Sequence, residues 1–182
     1  VSGTTISFGT AAVFESATTN YSEITFDSTS NKVVISYSDA DNSGYGTAVV
    51  GTVSGTNISF GTPVVFESAG SIWTTVIFDS NSNKVVISYF DQGNSNYGTA
   101  IVGTISGTAI SFGTAVVFNA SATYNPEVTF DSNANKVVIV YYDGGNSNYS
   151  TLIVGTVSGT TISFGSEVVF DQGASSYFAP VF

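Results

Sequence analysis

The sequence predicts an all-β protein built from antiparallel four-stranded repeats. Its first signal is self-similarity: the tripeptide Phe-Asp-Ser begins at Phe26, Phe78 and Phe130, which are 52 residues apart. The second is the abundance of Asn, Ser and Gly between apolar runs, since these residues form tight turns. The third is an alternation of apolar and polar residues, which is the period of a strand. A fixed period of this length indicates a tandem array.

The middle repeat shows the four strands most clearly, and we label them A to D. Strand A is predicted at Thr74–Asp79 and strand B at Lys84–Phe90, separated by Ser-Asn-Ser-Asn. Strand C is predicted at Tyr97–Ile105 and strand D at Ala109–Phe118. Gly107 lies between C and D, where a hairpin turn needs a positive φ.

The strands differ in their hydrophobic pattern. Strand D alternates, with Ile58, Phe60, Val64 and Phe66 separated by other residues. Strands B and C instead contain continuous apolar runs such as Val-Val-Ile from Val85. A strand that is apolar on both faces is covered on both faces. The pattern therefore predicts sheets that stack on one another.

The repeats give a single domain over residues 1–182. It divides into a strand D in 1–21, complete units at 22–73, 74–125 and 126–177, and a lone strand A at 178–182. Four antiparallel strands in about 50 residues is the size of a β-propeller blade, and another stacked β-repeat array is the alternative. Because the outer strands lack partners, we expect further copies of the chain or flanking repeats of a longer chain to complete the array.

A family resemblance supports the same fold. The run from Tyr97 to Thr114 and the segment from Phe78 to Val86 resemble tandem propeller-type repeats of viral, phage-like and environmental bacterial surface proteins. The resemblance covers the whole chain and implies a structural or binding role. The loop Asp91-Gln92-Gly93-Asn94-Ser95 is also similar to the Asp-box turn of sialidase-type propellers, but the Ser and Trp of that motif are absent.

Composition restricts the function classes. The net charge is −10, with 13 acidic and 3 basic residues, so the chain lacks the cations that neutralise nucleic-acid phosphates. We therefore expect no nucleic-acid partner, and no apolar run is long enough for membrane insertion by a helix. There is no Cys and no His, which removes thiolate and imidazole metal ligands and the commonest general base. The acidic, hydroxyl-rich composition suggests an extracellular, cell-surface or virion location.

Two sets of aspartates are candidate ligands. Asp39 and Asp41 begin a loop that resembles a calcium loop, and Asp91 and Asp143 occupy the corresponding loops. Calcium is thus the one candidate cofactor, with simple turn capping as the alternative. The second set has one aspartate after each strand A, which could ring a channel mouth or cap the A–B turn: Asp27, Asp79 and Asp131.

Aromatic columns are the candidate ligand-binding residues. Flat rings next to amides and carboxylates suit sugar stacking, whereas packing between units is the alternative. Three columns recur at the repeat period: Tyr21, Trp73 and Tyr177; Tyr45, Tyr97 and Tyr149; and Tyr37, Tyr89 and Tyr141.

These observations favour a non-enzymatic structural or adhesive module that acts as a rigid multivalent scaffold. A multivalent carbohydrate-binding propeller is the alternative, with glycans as partners. A fragment of a glycoside hydrolase is the third hypothesis, since Glu23 and Glu127 occupy equivalent positions. Thr75 stands between them in the middle unit, and we predict no catalytic residues and no enzyme activity.

Overall fold

The computed structural model describes residues 3–173 and 177–180. Over that part of the chain it is an all-β protein with a 13-stranded antiparallel sheet. Helix in these described residues is limited to three single 3₁₀ turns, Ala40–Asn42, Gln92–Asn94 and Gly144–Asn146. The strands are β1 (Thr19–Asp27), β2 (Lys32–Asp39), β3 (Tyr45–Ser54), β4 (Asn57–Phe60), β5 (Val64–Asp79), β6 (Lys84–Asp91), β7 (Tyr97–Ser106), β8 (Ala109–Phe112), β9 (Val116–Asp131), β10 (Lys136–Asp143), β11 (Tyr149–Ser158), β12 (Thr161–Phe164) and β13 (Val168–Asp171).

Two long strands connect the three units. The first half of β5 pairs with β3 in the first unit, and its second half pairs with β6 in the second unit. Strand β9 connects the second and third units in the same way, through β7 and β10. Each unit boundary therefore lies inside a 16-residue strand.

The structure confirms strands B and C of the middle unit within one residue of their boundaries, and it confirms the end of strand A at Asp79. Strand A begins earlier than predicted, because β5 pairs with β6 from Ser71 onward. The prediction of one strand D at Ala109–Phe118 was wrong. The chain forms β8, which pairs with the end of β7, and then leaves the ladder over residues 113–115. It rejoins at Val116, opposite Ala100 near the start of β7, and continues directly into strand A of the next unit. Gly113 stabilises the crossing by donating its backbone N–H to the carbonyl of Val102 at 2.9 Å.

The terminal strands also differ from expectation. Residues 3–18 contain one isolated bridge residue, Thr5, and no longer strand. The lone strand A predicted at 178–182 is not formed by residues 178–180, and its last two residues lie outside the described part of the chain.

Aspartates cap the A–B turns of all three units. Asp79 is 3% exposed, and its carboxylate accepts the backbone N–H groups of Asn81 and Ser82 at 2.9 and 3.1 Å. Asp27 and Asp131 accept the corresponding N–H groups in their own units. The turn-capping interpretation of this column is thus confirmed.

Aromatic rings fill the space between successive units. Tyr89 is fully buried, and its ring centroid lies 5.3 Å from that of Phe66, which belongs to the preceding unit. Phe66 also packs against Phe112 at 5.6 Å. The packing interpretation is confirmed for the whole column, because each member is 0% exposed: Tyr37, Tyr89 and Tyr141.

The outermost faces of the stack are only partly covered: Phe14 packs against Tyr37 on the first unit, but other apolar side chains there stay exposed. On the first unit Ile24 and Phe26 are 57% and 54% exposed, whereas the equivalent Val76 of the second unit is buried against the first unit. On the third unit Val168 and Phe170 are 53% and 50% exposed. In the described residues no helix is long and apolar enough to cross a membrane.

Candidate functional site

A cavity of about 220 Å³ lies where the strands A of successive units come together. Strands β1 and β5 lie side by side, as do β5 and β9. The Thr74 hydroxyl joins the first two by donating to the backbone carbonyl of Tyr21 at 2.7 Å. All three units and the segment after them contribute to the wall, which consists of Tyr21, Ser22, Glu23, Trp73, Thr74, Thr75, Asn125, Glu127, Tyr177 and Phe178.

A β-bulge in each strand A supplies part of this wall. The pairing register shifts between Asn20 and Glu23 in β1 and between Ile72 and Thr75 in β5. The bulged residues have left-handed φ values: 52° at Tyr21, 51° at Trp73 and 46° at Asn125. A left-handed conformation costs a bulky residue about 1–2 kcal/mol, and bulges commonly re-aim side chains next to binding sites. Each strand A thus places a residue with a left-handed backbone in the same cavity wall, and the cost falls on Tyr21 and Trp73 because Asn adopts this conformation readily.

Aromatic contacts hold Trp73 in place. Its ring meets those of Phe90 and Tyr124 at centroid distances of 5.3 and 6.0 Å, and that of Tyr21 at 6.1 Å. All three contacts are edge-to-face, which is a favourable geometry for aromatic pairs. Trp73 is half-buried, whereas Tyr21 and Tyr177 are 45% and 87% exposed. The predicted column of Tyr21, Trp73 and Tyr177 therefore does come together at one cavity.

Two carboxylates also line the cavity. Glu127 is half-buried, and burial together with the negative charge of Glu23 raises the pKa of Glu127 to about 7. Among the described residues, no group donates a hydrogen bond to the Glu127 carboxylate. Glu23 and Glu127 occupy equivalent positions in the repeat. They lie close together because the first and third units both reach this cavity.

The raised pKa makes stability depend on pH. The folded chain retains a proton on Glu127 that the unfolded chain, with a pKa of 4.5, has released. The free energy of unfolding should therefore fall as pH rises from about 4.5 to 7, by about 1–2 kcal/mol after allowing for solvent screening of a half-exposed group. Urea denaturation at several pH values measures this decrease.

Two variants isolate the contribution of Glu127. Glu127→Gln should remove this part of the pH dependence and increase stability at pH 8. Glu23→Gln should only reduce it, because burial of Glu127 persists. If both variants keep the wild-type pH profile, the carboxylate pair has no role in it.

The other predicted site residues lie outside this cavity. Tyr45, Tyr97 and Tyr149 are half-buried at the starts of β3, β7 and β11. Tyr97 is paired with Asp91 across the ladder, and the other two tyrosines have the equivalent partners. The structure does not bring this column together.

The four candidate calcium ligands lie at the B–C loops. Asp39, Asp91 and Asp143 each cap a 3₁₀ turn by accepting a backbone N–H, at 3.2, 3.1 and 2.9 Å. Asp41 lies exposed in the first of these turns. Within the described ranges there is no group of three or more carboxylates that could hold a metal ion, and calcium binding stays a prediction.

Asn125, Thr74, Thr75 and Phe178 line the cavity but were not predicted as site residues. The repeat period could have identified Asn125, since this residue continues the column of Tyr21, Trp73 and Tyr177. An amide in a column of aromatic rings did not stand out. Comparison with known proteins adds no further assignment, because no family model matches the chain and no curated protein is significantly similar to it.

Proposed function

We propose that the chain is a non-enzymatic repeat module of the β-propeller type, which acts as a rigid scaffold in an extracellular, cell-surface or virion assembly. The shared cavity supports a propeller: Glu23 of the first unit and Glu127 of the third line the same space. Successive strands A must curve around a common axis to do so, as the innermost strands of propeller blades do. The weakly charged composition, with 9% charged residues, supports the location.

The apolar outer faces are the observation that carries the scaffold function. Repeat proteins normally end in units with a polar outer face, which keeps them soluble. Here the first unit exposes Ile24, Phe26 and Val53, each by half or more. Exposed apolar patches of this kind mark interaction surfaces.

The opposite face has the same character. Val168 and Phe170 are exposed on the third unit, while the residue equivalent to Phe170 in the second unit, Phe118, is 5% exposed. A Cβ added at Gly61 or Gly113 would overlap the backbone of a turn in the following unit. A Cβ added at Gly165 would contact only a carbonyl of its own unit, at an ordinary van der Waals distance. Both outer faces are thus built like the inner, covered ones.

Assembly through these faces has a direct test. We expect concentration-dependent association in sedimentation velocity, because each copy presents two apolar faces that are partly exposed. Phe26→Glu should weaken association at least tenfold, since it places a charge in the contact without disturbing a buried position. Ser80→Glu is the matched control, because it adds the same charge in an exposed A–B turn.

The outcomes show whether further copies of the chain or flanking repeats of a longer chain cover the apolar faces. Loss of association in Phe26→Glu but not in Ser80→Glu supports assembly of copies. A wild-type chain that stays monomeric up to several hundred micromolar contradicts it, and would leave flanking repeats as the cover.

Carbohydrate binding in the cavity is a second candidate function. The lining favours it: half-exposed rings for stacking against sugar faces, with carboxylates, hydroxyl groups and an amide for their hydroxyls. One cavity per chain would become several when copies associate, and such multivalency adds weak affinities together. A measurable affinity for a saccharide is the test, and release of reducing sugar would instead identify a glycoside hydrolase.

A further inference from the structure

The charge of the cavity is unbalanced. Both charged side chains in its lining, Glu23 and Glu127, are acidic. Lys32, Lys84 and Lys136 each begin a strand B and are not part of the lining. Two carboxylates that face each other without a cation are costly when one is half-buried, because burial favours the neutral form. The cavity would gain electrostatic stabilisation from a ligand with a positive charge.

The aromatic residues of the wall strengthen this preference. Tyr21 and Trp73 approach each other at 6.1 Å, and Tyr177 contributes a third ring to the same lining. A cation over the face of a Trp or Tyr ring is attracted by the ring quadrupole, most strongly when it is partly desolvated. Rings combined with carboxylates are the arrangement that recognises organic ammonium groups.

We propose that this cavity binds an organic ammonium group, as carried by a sugar with a free amino group. The inference rests on the second proposed function, carbohydrate binding, and adds the charge of the ligand. The ammonium group lies between Glu23 and Glu127, and the apolar face of the sugar packs against Trp73. A neutral sugar makes the ring contacts but leaves the two carboxylates uncompensated.

A matched pair of trisaccharides tests this charge preference. The glucosamine trisaccharide and its fully N-acetylated counterpart share a sugar backbone and differ in the charge on nitrogen. In isothermal titration calorimetry at pH 7 and low ionic strength, where Glu127 is partly ionised, we expect the amino form to bind at least tenfold more tightly. Competition by tetramethylammonium shows whether a simple cation occupies the same site.

Variants locate the binding. Glu127→Gln and Glu23→Gln should each weaken binding of the amino trisaccharide about tenfold. Trp73→Leu should weaken both trisaccharides, provided that its thermal melt stays cooperative. Asp41→Asn is the control for general attraction to an acidic protein, because it removes the same charge from an exposed loop outside the cavity.

A pH series gives a second readout that does not require any substitution at Trp73. Tetramethylammonium keeps its charge at every pH, so changes in its affinity report the protein. The ionisable groups that face Glu127 are Glu23, Tyr21 and Tyr177, while β5 contributes only Trp73, Thr74 and Thr75 to this wall. Affinity should rise as pH increases through about 7, where Glu127 ionises, and Glu127→Gln should abolish that rise.

The outcomes distinguish the two levels of the proposal. Equal affinity for the two trisaccharides overturns the ammonium inference and supports carbohydrate binding. Absence of binding by both sugars and by tetramethylammonium overturns both. If Asp41→Asn weakens binding as much as Glu127→Gln does, the attraction is non-specific and the cavity is not the site.

Discussion

Tyr89→Ala is expected to lower the free energy of unfolding by about 3–5 kcal/mol, the range for removing a large buried aromatic side chain. Tyr89 is fully buried and belongs to the core between the first and second units, together with Val34, Val50 and Phe66. The cavity left behind would lie between the first and second units, which β5 joins along the chain. Urea denaturation followed by far-ultraviolet circular dichroism measures the loss.

Tyr89→Phe is the matched control. It keeps the ring and removes only the hydroxyl, which donates to the Glu67 carboxylate at 3.4 Å. We expect a cost of about 1 kcal/mol or less, because a long hydrogen bond contributes little. Equal losses in the two variants would show that the hydroxyl, and not ring packing between units, stabilises this interface.

Gly61→Ala should destabilise the chain by about 1–3 kcal/mol, the usual cost of overpacking. An added Cβ would overlap the backbone carbonyl of Thr108, which belongs to the C–D turn of the next unit. Backbone cannot rotate away as a flexible side chain does, so the two units must move apart. Chemical denaturation measures the change in stability.

The repeat offers a control at the same position of a different unit. Gly165 is equivalent to Gly61, but a Cβ there would meet only the Val154 carbonyl, at an ordinary 3.7 Å. Gly165→Ala should therefore be close to neutral in the isolated chain. If it costs as much as Gly61→Ala, backbone conformation rather than contact between units explains the glycine.

Strand positions were largely predictable because local chemistry specifies them. The turn at residues 80–83 and the continuous apolar run from Val85 define strands A and B, and the structure keeps those limits within one residue. The continuity of strand D with the next strand A was not predictable in this way. Ser68, Ala69 and Gly70 have the composition of a loop, and they are extended because two different ladders hold the strand on either side.

The candidate site was predictable only in part. The repeat period alone places Tyr21, Trp73 and Tyr177 in one column, and these residues share a cavity. The proximity of Glu23 and Glu127 depends on how the strands A curve around one another, which is set by packing between units. No local pattern encodes that curvature, so the equivalent repeat positions of these two residues, 104 apart in the chain, did not show that they face the same space.

The long strands β5 and β9 also determine how such an array can change in length. Each boundary between units falls inside a strand that is hydrogen-bonded to both units. No loop therefore lies at the boundary where a unit could be removed or added as a separate module. A duplication of 52 residues preserves every ladder, whereas inserting an odd number of residues within β5 or β9 would turn the wrong face of the strand toward its partner. Duplication in whole periods is therefore a route by which the array can lengthen without breaking the sheet, and the constant spacing of the repeats agrees with it.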